Sequence, residues 1–185
     1  ELDVEPYDEH TGKGVLRHVI GRIGQSGWMV ILVTATDYLP QHEEWVKNIT
    51  NRIPQVETIV HNVNGKRTNV ILGAKNNILY GDGTITDHIK DLRFTLSPHS
   101  FFQVNPEQTT VLYDQALAYA DLKGDEIVID AYCGTGTISL FLAHKAKHVI
   151  GIEIVEPAII NARENARRNG YDNTEFIVAD AAVEM

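Results

Sequence analysis

The 185-residue sequence contains one cysteine, Cys133. A lone thiol excludes a disulfide framework, a zinc ribbon and a cysteine-held iron–sulfur cluster within these residues. Positive charge is also scarce: 16 Lys and Arg face 25 Asp and Glu, a formal net charge of −9. That balance does not advertise nucleic-acid binding, because neutralising phosphates takes clustered Lys and Arg. No run of about 18 apolar residues occurs, which excludes a helical membrane span. Glu1 to Gly12 is acidic and polar, unlike a signal peptide, so a cytoplasmic protein is expected. Repeats and low-complexity tracts are missing too. Apolar residues make up 43% and charged residues 22%, a globular rather than a disordered balance.

What charge there is falls unevenly. The first 12 residues carry five acids and no Lys or Arg, and residues 97–185 are net −7. Residues 13–96 are net +3. Their Lys13, Arg17, Arg22, Lys66 and Arg67 read first as a solvated surface and second as a weak basic face.

Two textures follow one another. Up to about residue 96 the signals are mostly strand-like. Val15–Ile23 and Trp28–Thr36 form a hairpin through Gly24-Gln25-Ser26-Gly27. The second run is apolar on both faces and is expected to be a central strand. A helix spans His42–Arg52, with Val46, Ile49 and Ile53 at helical spacing and Pro54 closing it. Thr58–Val63 is a strand ended by Asn64-Gly65. Ile78–Tyr80, Thr84–Ile89 and Arg93–Leu96 read as an antiparallel meander.

From about residue 106 helices and strands alternate. Asn105-Pro106 starts a helix, with Leu112, Ala116 and Tyr119 on one face. Strands over 126–130, 148–152 and 175–178 alternate with helices near 137–144 and 157–169, half of a doubly wound parallel sheet. The inward stripe of the last helix is expected to be Val155, Ile159, Ala162 and Ala166.

The chemistry concentrates at three strand ends. Asp130-Ala-Tyr-Cys-Gly-Thr-Gly-Thr-Ile-Ser139 lies between strand and helix, the context a cofactor loop requires. Gly134 and Gly136 permit a tight turn and close approach of a ligand. Ser139 stands where a dinucleotide fingerprint has Gly or Ala. Asp130 disfavours a pyrophosphate but suits an ammonium group, which S-adenosylmethionine has and NAD lacks. Glu153 is placed to accept hydrogen bonds from both ribose hydroxyls of either cofactor. Asp180 is placed to accept one from an adenine amino group, or simply to cap a helix. The pattern favours S-adenosylmethionine and leaves NAD as the alternative.

Ser97-Pro-His-Ser-Phe-Phe-Gln-Val-Asn-Pro106 precedes this sheet. Together with Tyr132-Cys-Gly-Thr-Gly-Thr137 and Gly151-Ile-Glu153, it resembles the RNA uracil-5-methyltransferase family, most closely the bacterial 23S rRNA enzymes. The resemblance implies an α/β chain in three parts. An acidic leader (1–13) is followed by a mixed α/β central domain (14–96). Residues 97–185 are the first half of a Rossmann-like S-adenosylmethionine-dependent methyltransferase sheet. It implies cofactor contacts by Gln103, Tyr132, Glu153 and, at the adenine side, Asp180, beside Asp130, Gly134, Gly136 and Thr137. It implies methylation of C5 of uridine in RNA, with 23S rRNA as the expected partner. The family's chemistry uses a Cys that attacks C6 of uracil and a base that removes the C5 proton. The resemblance places both on later strands, so the 185 residues alone are expected to be inactive. Cys133 is read as a buried packing residue and no catalytic residue is nominated. A non-catalytic binding module and a small-molecule methyltransferase are the alternatives.

Other candidates are weaker. A helix end falls between His144 and His148, and no metal site is expected. Trp28 and Trp45 fit core positions. Phe101 or Phe102 is the candidate for stacking on a base. Arg163, Arg167 and Arg168 read as a solvated helix face.

Overall fold

The computed structural model describes residues 3–184; Glu1 of the acidic leader and Met185 lie outside the described residues. The chain divides into two compact units, residues 1–85 and 86–185. Among the described residues no helix is long and apolar enough to cross a membrane.

The first unit is one four-stranded sheet. It contains β1 (Leu16–Ile23), β2 (Trp28–Thr34), β3 (Val56–Val63) and β4 (Lys75–Tyr80) in that spatial order, with helix α1 (His42–Arg52) between β2 and β3. β1 and β2 pair antiparallel, and Gly24 N donates to Gly27 O at 2.9 Å in the hairpin turn. β2 and β3 are parallel, which is why a helix must connect them. Every residue of β2 after Trp28 is buried, matching its continuous apolar run. Val30, Leu32, Leu39, Val56 and Ile59 form a core covered by Trp28, Trp45 and the Val46, Ile49 and Ile53 stripe of α1. The leader folds back on this sheet: Tyr7 N donates to Leu16 O and Asp8 N to Lys13 O, both at 2.8 Å.

The expected meander does not form. β4 begins at Lys75 and pairs antiparallel with β3, while β5 (Ile85–Ile89) pairs only with β6 (Leu92–Leu96). The reason lies in Thr58 of β3. Its hydroxyl donates to Tyr80 O and accepts from Gly83 N, so the Gly81-Asp82-Gly83 turn is pinned to β3 rather than closing a β4–β5 hairpin.

The second unit contains the β5–β6 pair and then α2 (Pro106–Ala120), β7 (Ile127–Ala131), α3 (Thr137–Ala143), β8 (His148–Glu153), α4 (Glu156–Asn169), β9 (Thr174–Val178) and α5 (Ala181–Glu184). β7, β8 and β9 form a parallel sheet with β8 in the middle. Asn105 caps α2 by accepting from Gln108 N at 3.1 Å, with Pro106 in the first turn. The face of α2 differs from the expected one. Thr109 and Tyr113 are buried, while Leu112 and Tyr119 are exposed. The Tyr113 ring packs edge-on against Phe141 of α3 at 5.5 Å, which turns the helix by about one position. β6 is joined to α4 through side-chain amides. Asn165 Oδ1 accepts from Thr95 N at 2.9 Å, and Asn169 both accepts from Arg93 N and donates to Arg93 O. Strands read as the end of the central domain therefore group with the second unit.

Candidate cofactor site

Parallel pairing in register brings the ends of β7, β8 and β9 to one edge of the sheet. Ala131 lies opposite Ile152, and Glu153 lies opposite Val178. The glycine loop then folds over β8. Cys133 N donates to Ile152 O at 3.0 Å, and Gly136 N to Cys133 O at 2.9 Å. Gly134 N donates to Glu153 Oε2 at 3.2 Å, while Val155 N donates to Oε1 at 3.0 Å. Both Glu153 oxygens are thus oriented by backbone, and each retains a lone pair for a further donor. Ala179 N donates to Glu153 O at 3.1 Å, which sets Asp180 beside the same strand end. Asp180 Oδ1 accepts from Ala182 N at 3.0 Å and so caps α5.

Asp130 is half-buried, and its Oδ2 accepts a short hydrogen bond from Ser139 Oγ. That contact accounts for the serine at the third fingerprint position: it anchors the carboxylate to α3. Burial pushes the Asp130 carboxyl above the ordinary carboxylate range, and the Ser139 bond opposes that rise. A desolvated carboxylate with one oxygen spoken for gains most from a cationic neighbour.

Tyr132 is the unusual residue of the loop. It has φ of 66° and is 68% exposed. A non-glycine residue in the left-handed region costs about 1–3 kcal/mol. At that exposure Tyr132 is not a core-packing residue. Gly134 (φ 56°) has nothing within 4 Å of where a Cβ would sit, so the loop faces open space there. At Gly136 the same atom would lie 3.0 Å from the Phe176 ring and 3.2 Å from Ala162 Cβ, so only glycine fits without displacement. Thr137 opens α3, and its hydroxyl shares a hydrogen bond of 2.9 Å with Tyr113 OH. Gln103 is half-buried and lies two residues past Phe101, whose carbonyl accepts from Thr135 Oγ1 at 3.5 Å. The aromatic pair divides: Phe102 is buried against Phe94, with centroids 5.8 Å apart, and Phe101 is 73% exposed.

Cys133 is 6% exposed, and its Sγ would lie 2.9 Å from a Cβ placed on Gly151. It fills the space between loop and β8. Burial first, then the Asp130 and Glu153 charges, push its thiol up to about 12. A thiol so poised is a packing group, not a nucleophile.

Sequence reading missed the asparagines that hold this site. Asn165, fully buried, accepts from Thr95 N and donates to Thr135 O at 3.1 Å, linking β6, the glycine loop and α4. Asn161 Nδ2 donates to Ser97 Oγ and Ser100 Oγ, fastening the junction before α2. The signal was present: the two are one turn apart on α4, each directly before an inward alanine, Ala162 or Ala166, where a polar residue must be satisfied. Val155 in turn precedes the helix and is 48% exposed, so it leaves the expected stripe. The arginines are less idle than expected. Arg163 Nη2 donates to Phe176 O at 2.6 Å, and Arg168 Nη1 to Thr95 Oγ1 at 2.6 Å.

This arrangement of strand ends, glycine loop and paired acids is the fold of S-adenosylmethionine-dependent methyltransferases. A methyltransferase-domain family model matches residues 122–184. The chain is 54% identical to an uncharacterized RNA methyltransferase of Halalkalibacterium halodurans, over 98% of this chain and 40% of that protein. It is 52% identical to an uncharacterized RNA methyltransferase of Oceanobacillus iheyensis, over 96% of this chain and 39% of that protein. The chain thus spans about two fifths of the length of these curated relatives. Among solved structures, the tRNA (uracil-54, C5)-methyltransferase of Pyrococcus abyssi, in complex with S-adenosyl-L-homocysteine, superposes with a TM-score of 0.78. That match has 28% identity and covers 96% of this chain and 42% of that one. The tRNA m1G37 methyltransferase of Methanocaldococcus jannaschii shares the fold at 14% identity and a TM-score of 0.53, over 85% of this chain and 45% of that one.

Proposed function

We propose that these residues are the cofactor-binding part of an enzyme that methylates C5 of uridine in RNA with S-adenosylmethionine, and that its substrate is 23S rRNA. The observation that carries the reading is the shared cluster at the sheet edge. Glu153 is clamped to the glycine loop through Gly134 N at 3.2 Å, beside a half-buried Asp130 and an exposed Tyr132. Glu153 receives the ribose hydroxyls, Asp130 the ammonium end, and Tyr132 flanks the ligand. Gln103, carried by the junction fastened to Thr135, covers it, and Asp180 takes the adenine side. Thr137 and the two loop glycines complete the floor. The relatives named as RNA methyltransferases and the uracil-C5 neighbour support the choice of RNA and of C5. The exposed Phe101 supports a base approaching the same edge.

The test uses the protein encoded by the complete gene, tritiated S-adenosylmethionine, and unmodified 23S rRNA and tRNA offered separately. Digestion to nucleosides is expected to return the label as 5-methyluridine. Label in another nucleoside overturns C5 of uridine, and label only on tRNA overturns the 23S substrate. A second expectation concerns the 185 residues themselves. Tyr132→Gly relieves the left-handed backbone, so the unfolding midpoint is expected to hold or rise by a few degrees, since roughly 1 kcal/mol of strain is removed. The same variant is expected to bind S-adenosylhomocysteine about tenfold more weakly by calorimetry, because the flanking ring is lost. Unchanged affinity would remove Tyr132 from the cofactor contacts.

A further inference from the structure

Resting on the reading of RNA as substrate, we propose that the loop between β3 and β4 in the first unit is a preformed contact for single-stranded RNA. Val63 and Lys75 pair directly across the sheet, yet eleven residues, 64–74, connect them. Antiparallel neighbours need only about 2–5 residues to connect. A compact loop whose ends meet and whose interior is held by its own side chains is a common functional element.

Buried polar side chains hold this loop in one shape. Asn62, fully buried, donates to Gly73 O at 2.8 Å and accepts from Gly73 N at 2.7 Å. Asn64 donates to Val70 O at 2.7 Å and Ile71 O at 3.0 Å, and accepts from Lys66 N at 3.3 Å. Arg17 of β1, its side chain 1% exposed, donates to Asn64 O and Lys66 O at 2.7 and 2.8 Å. Desolvating an arginine and two asparagines is costly unless each finds partners. Here Arg17 Nη1 and both asparagine amides find loop backbone, while Arg17 Nη2 pairs with Glu9, so the ordering cost of a ligand-binding loop is met in advance.

What the loop presents is equally specific. Residues 65–71 are all exposed. Lys66 and Arg67 have no carboxylate partner among the described residues, whereas the nearby Glu9 is paired with Arg17 at 3.0 Å. Val70 and Ile71 stand 59% and 48% exposed beside them. Arg67, Val70 and Ile71 line a cleft of about 440 Å³ with His18 and the Glu9–Arg17 pair, and Lys66 lies beside Arg67 outside that lining. Two cations without carboxylate partners, Arg67 held in place by donating to Thr11 O at 2.7 Å, next to exposed apolar and amide groups match a nucleotide strand. The cations meet phosphates, and Val70 and Ile71 meet an unstacked base. The overall net charge of −9 makes this local cation pair the more informative.

The test is fluorescence anisotropy of a labelled oligouridylate with the 185-residue chain at several salt concentrations. Lys66→Glu with Arg67→Glu is compared with Lys47→Glu and Arg52→Glu on α1, which changes the charge of the same unit equally. The loop variant is expected to bind at least about tenfold more weakly, with a salt slope shallower by roughly 1.4, for two phosphate contacts on a single strand. The α1 variant is expected to lose no more than about threefold. Equal losses in both variants, no loss in either, or no binding by the parent chain overturns the proposal. S-adenosylhomocysteine titration of the same samples separates the two readings. Loop-dependent RNA binding without cofactor binding leaves this contact standing and sinks the methyltransferase reading; the converse sinks this contact alone.

Discussion

Replacing Asn165 with alanine is expected to lower the unfolding midpoint of the second unit by roughly 10–50 °C. The side chain is fully buried and serves two backbone groups, accepting from Thr95 N at 2.9 Å and donating to Thr135 O at 3.1 Å. Alanine leaves both groups without partners, and each buried unsatisfied group costs about 1–3 kcal/mol. For a unit of this size each kcal/mol is worth about 4–8 °C. The loss also propagates to the site. Thr135 sits inside the glycine loop and its hydroxyl donates to Phe101 O at 3.5 Å, so the junction before α2 loosens with it. Asn161→Ala is the comparison. Its amide serves two serine hydroxyls that also hydrogen-bond each other at 3.0 Å, so they rotate into new partners and the loss is about 1 kcal/mol. Thermal melts of the two variants check this. A midpoint for Asn165→Ala within a few degrees of the parent would show that water replaces the amide.

Cys133 is expected to react with a disulfide reagent about a thousandfold more slowly in the folded chain than in the urea-unfolded chain at the same pH. The thiolate is the reacting species, and its fraction falls tenfold for each unit of rise in the thiol's pKa. Burial, then Asp130 and Glu153, raise this thiol from 9.0 to about 12, a difference of three units. Its 6% exposure slows access further. The folded state holds the thiol proton more tightly than the unfolded state, so this contribution to stability is complete below pH 9 and is lost as pH rises from 9 towards 12. Folded and unfolded rates within tenfold of each other would sink the packing assignment and reopen Cys133 as a reactive group. Cys133→Ala, which keeps a small apolar side chain against Gly151, is expected to retain S-adenosylhomocysteine binding.

Much of the site was legible because its parts are local. A glycine loop between strand and helix, acids at successive strand ends and an Asn-Pro helix start are all readable within a few residues. Parallel pairing then places Asp130, Glu153 and Asp180 at one edge, since all three strands run the same way. What escaped was long-range. Asn165 serves residues 70 and 30 positions away, and no spacing rule links an inward asparagine to partners that distant. The β4 pairing escaped for a related reason. Thr58 claims the Tyr80–Gly83 turn from 22 and 25 residues upstream, while local turn chemistry at Gly81-Asp82-Gly83 is equally consistent with a hairpin.

The sequence by itself determined the alternation of elements, the glycine loop and the acids at the strand ends beside it, because these depend on backbone preferences and on neighbours close in the chain. Tertiary structure alone decided which side chains those elements would expose. It buried Phe102 and left Phe101 outside, turned Tyr113 rather than Leu112 inward, and spent Asn62, Asn64 and Arg17 on shaping one exposed loop. A buried polar atom takes whichever partner the packed fold brings within about 3 Å, and only the fold specifies that partner.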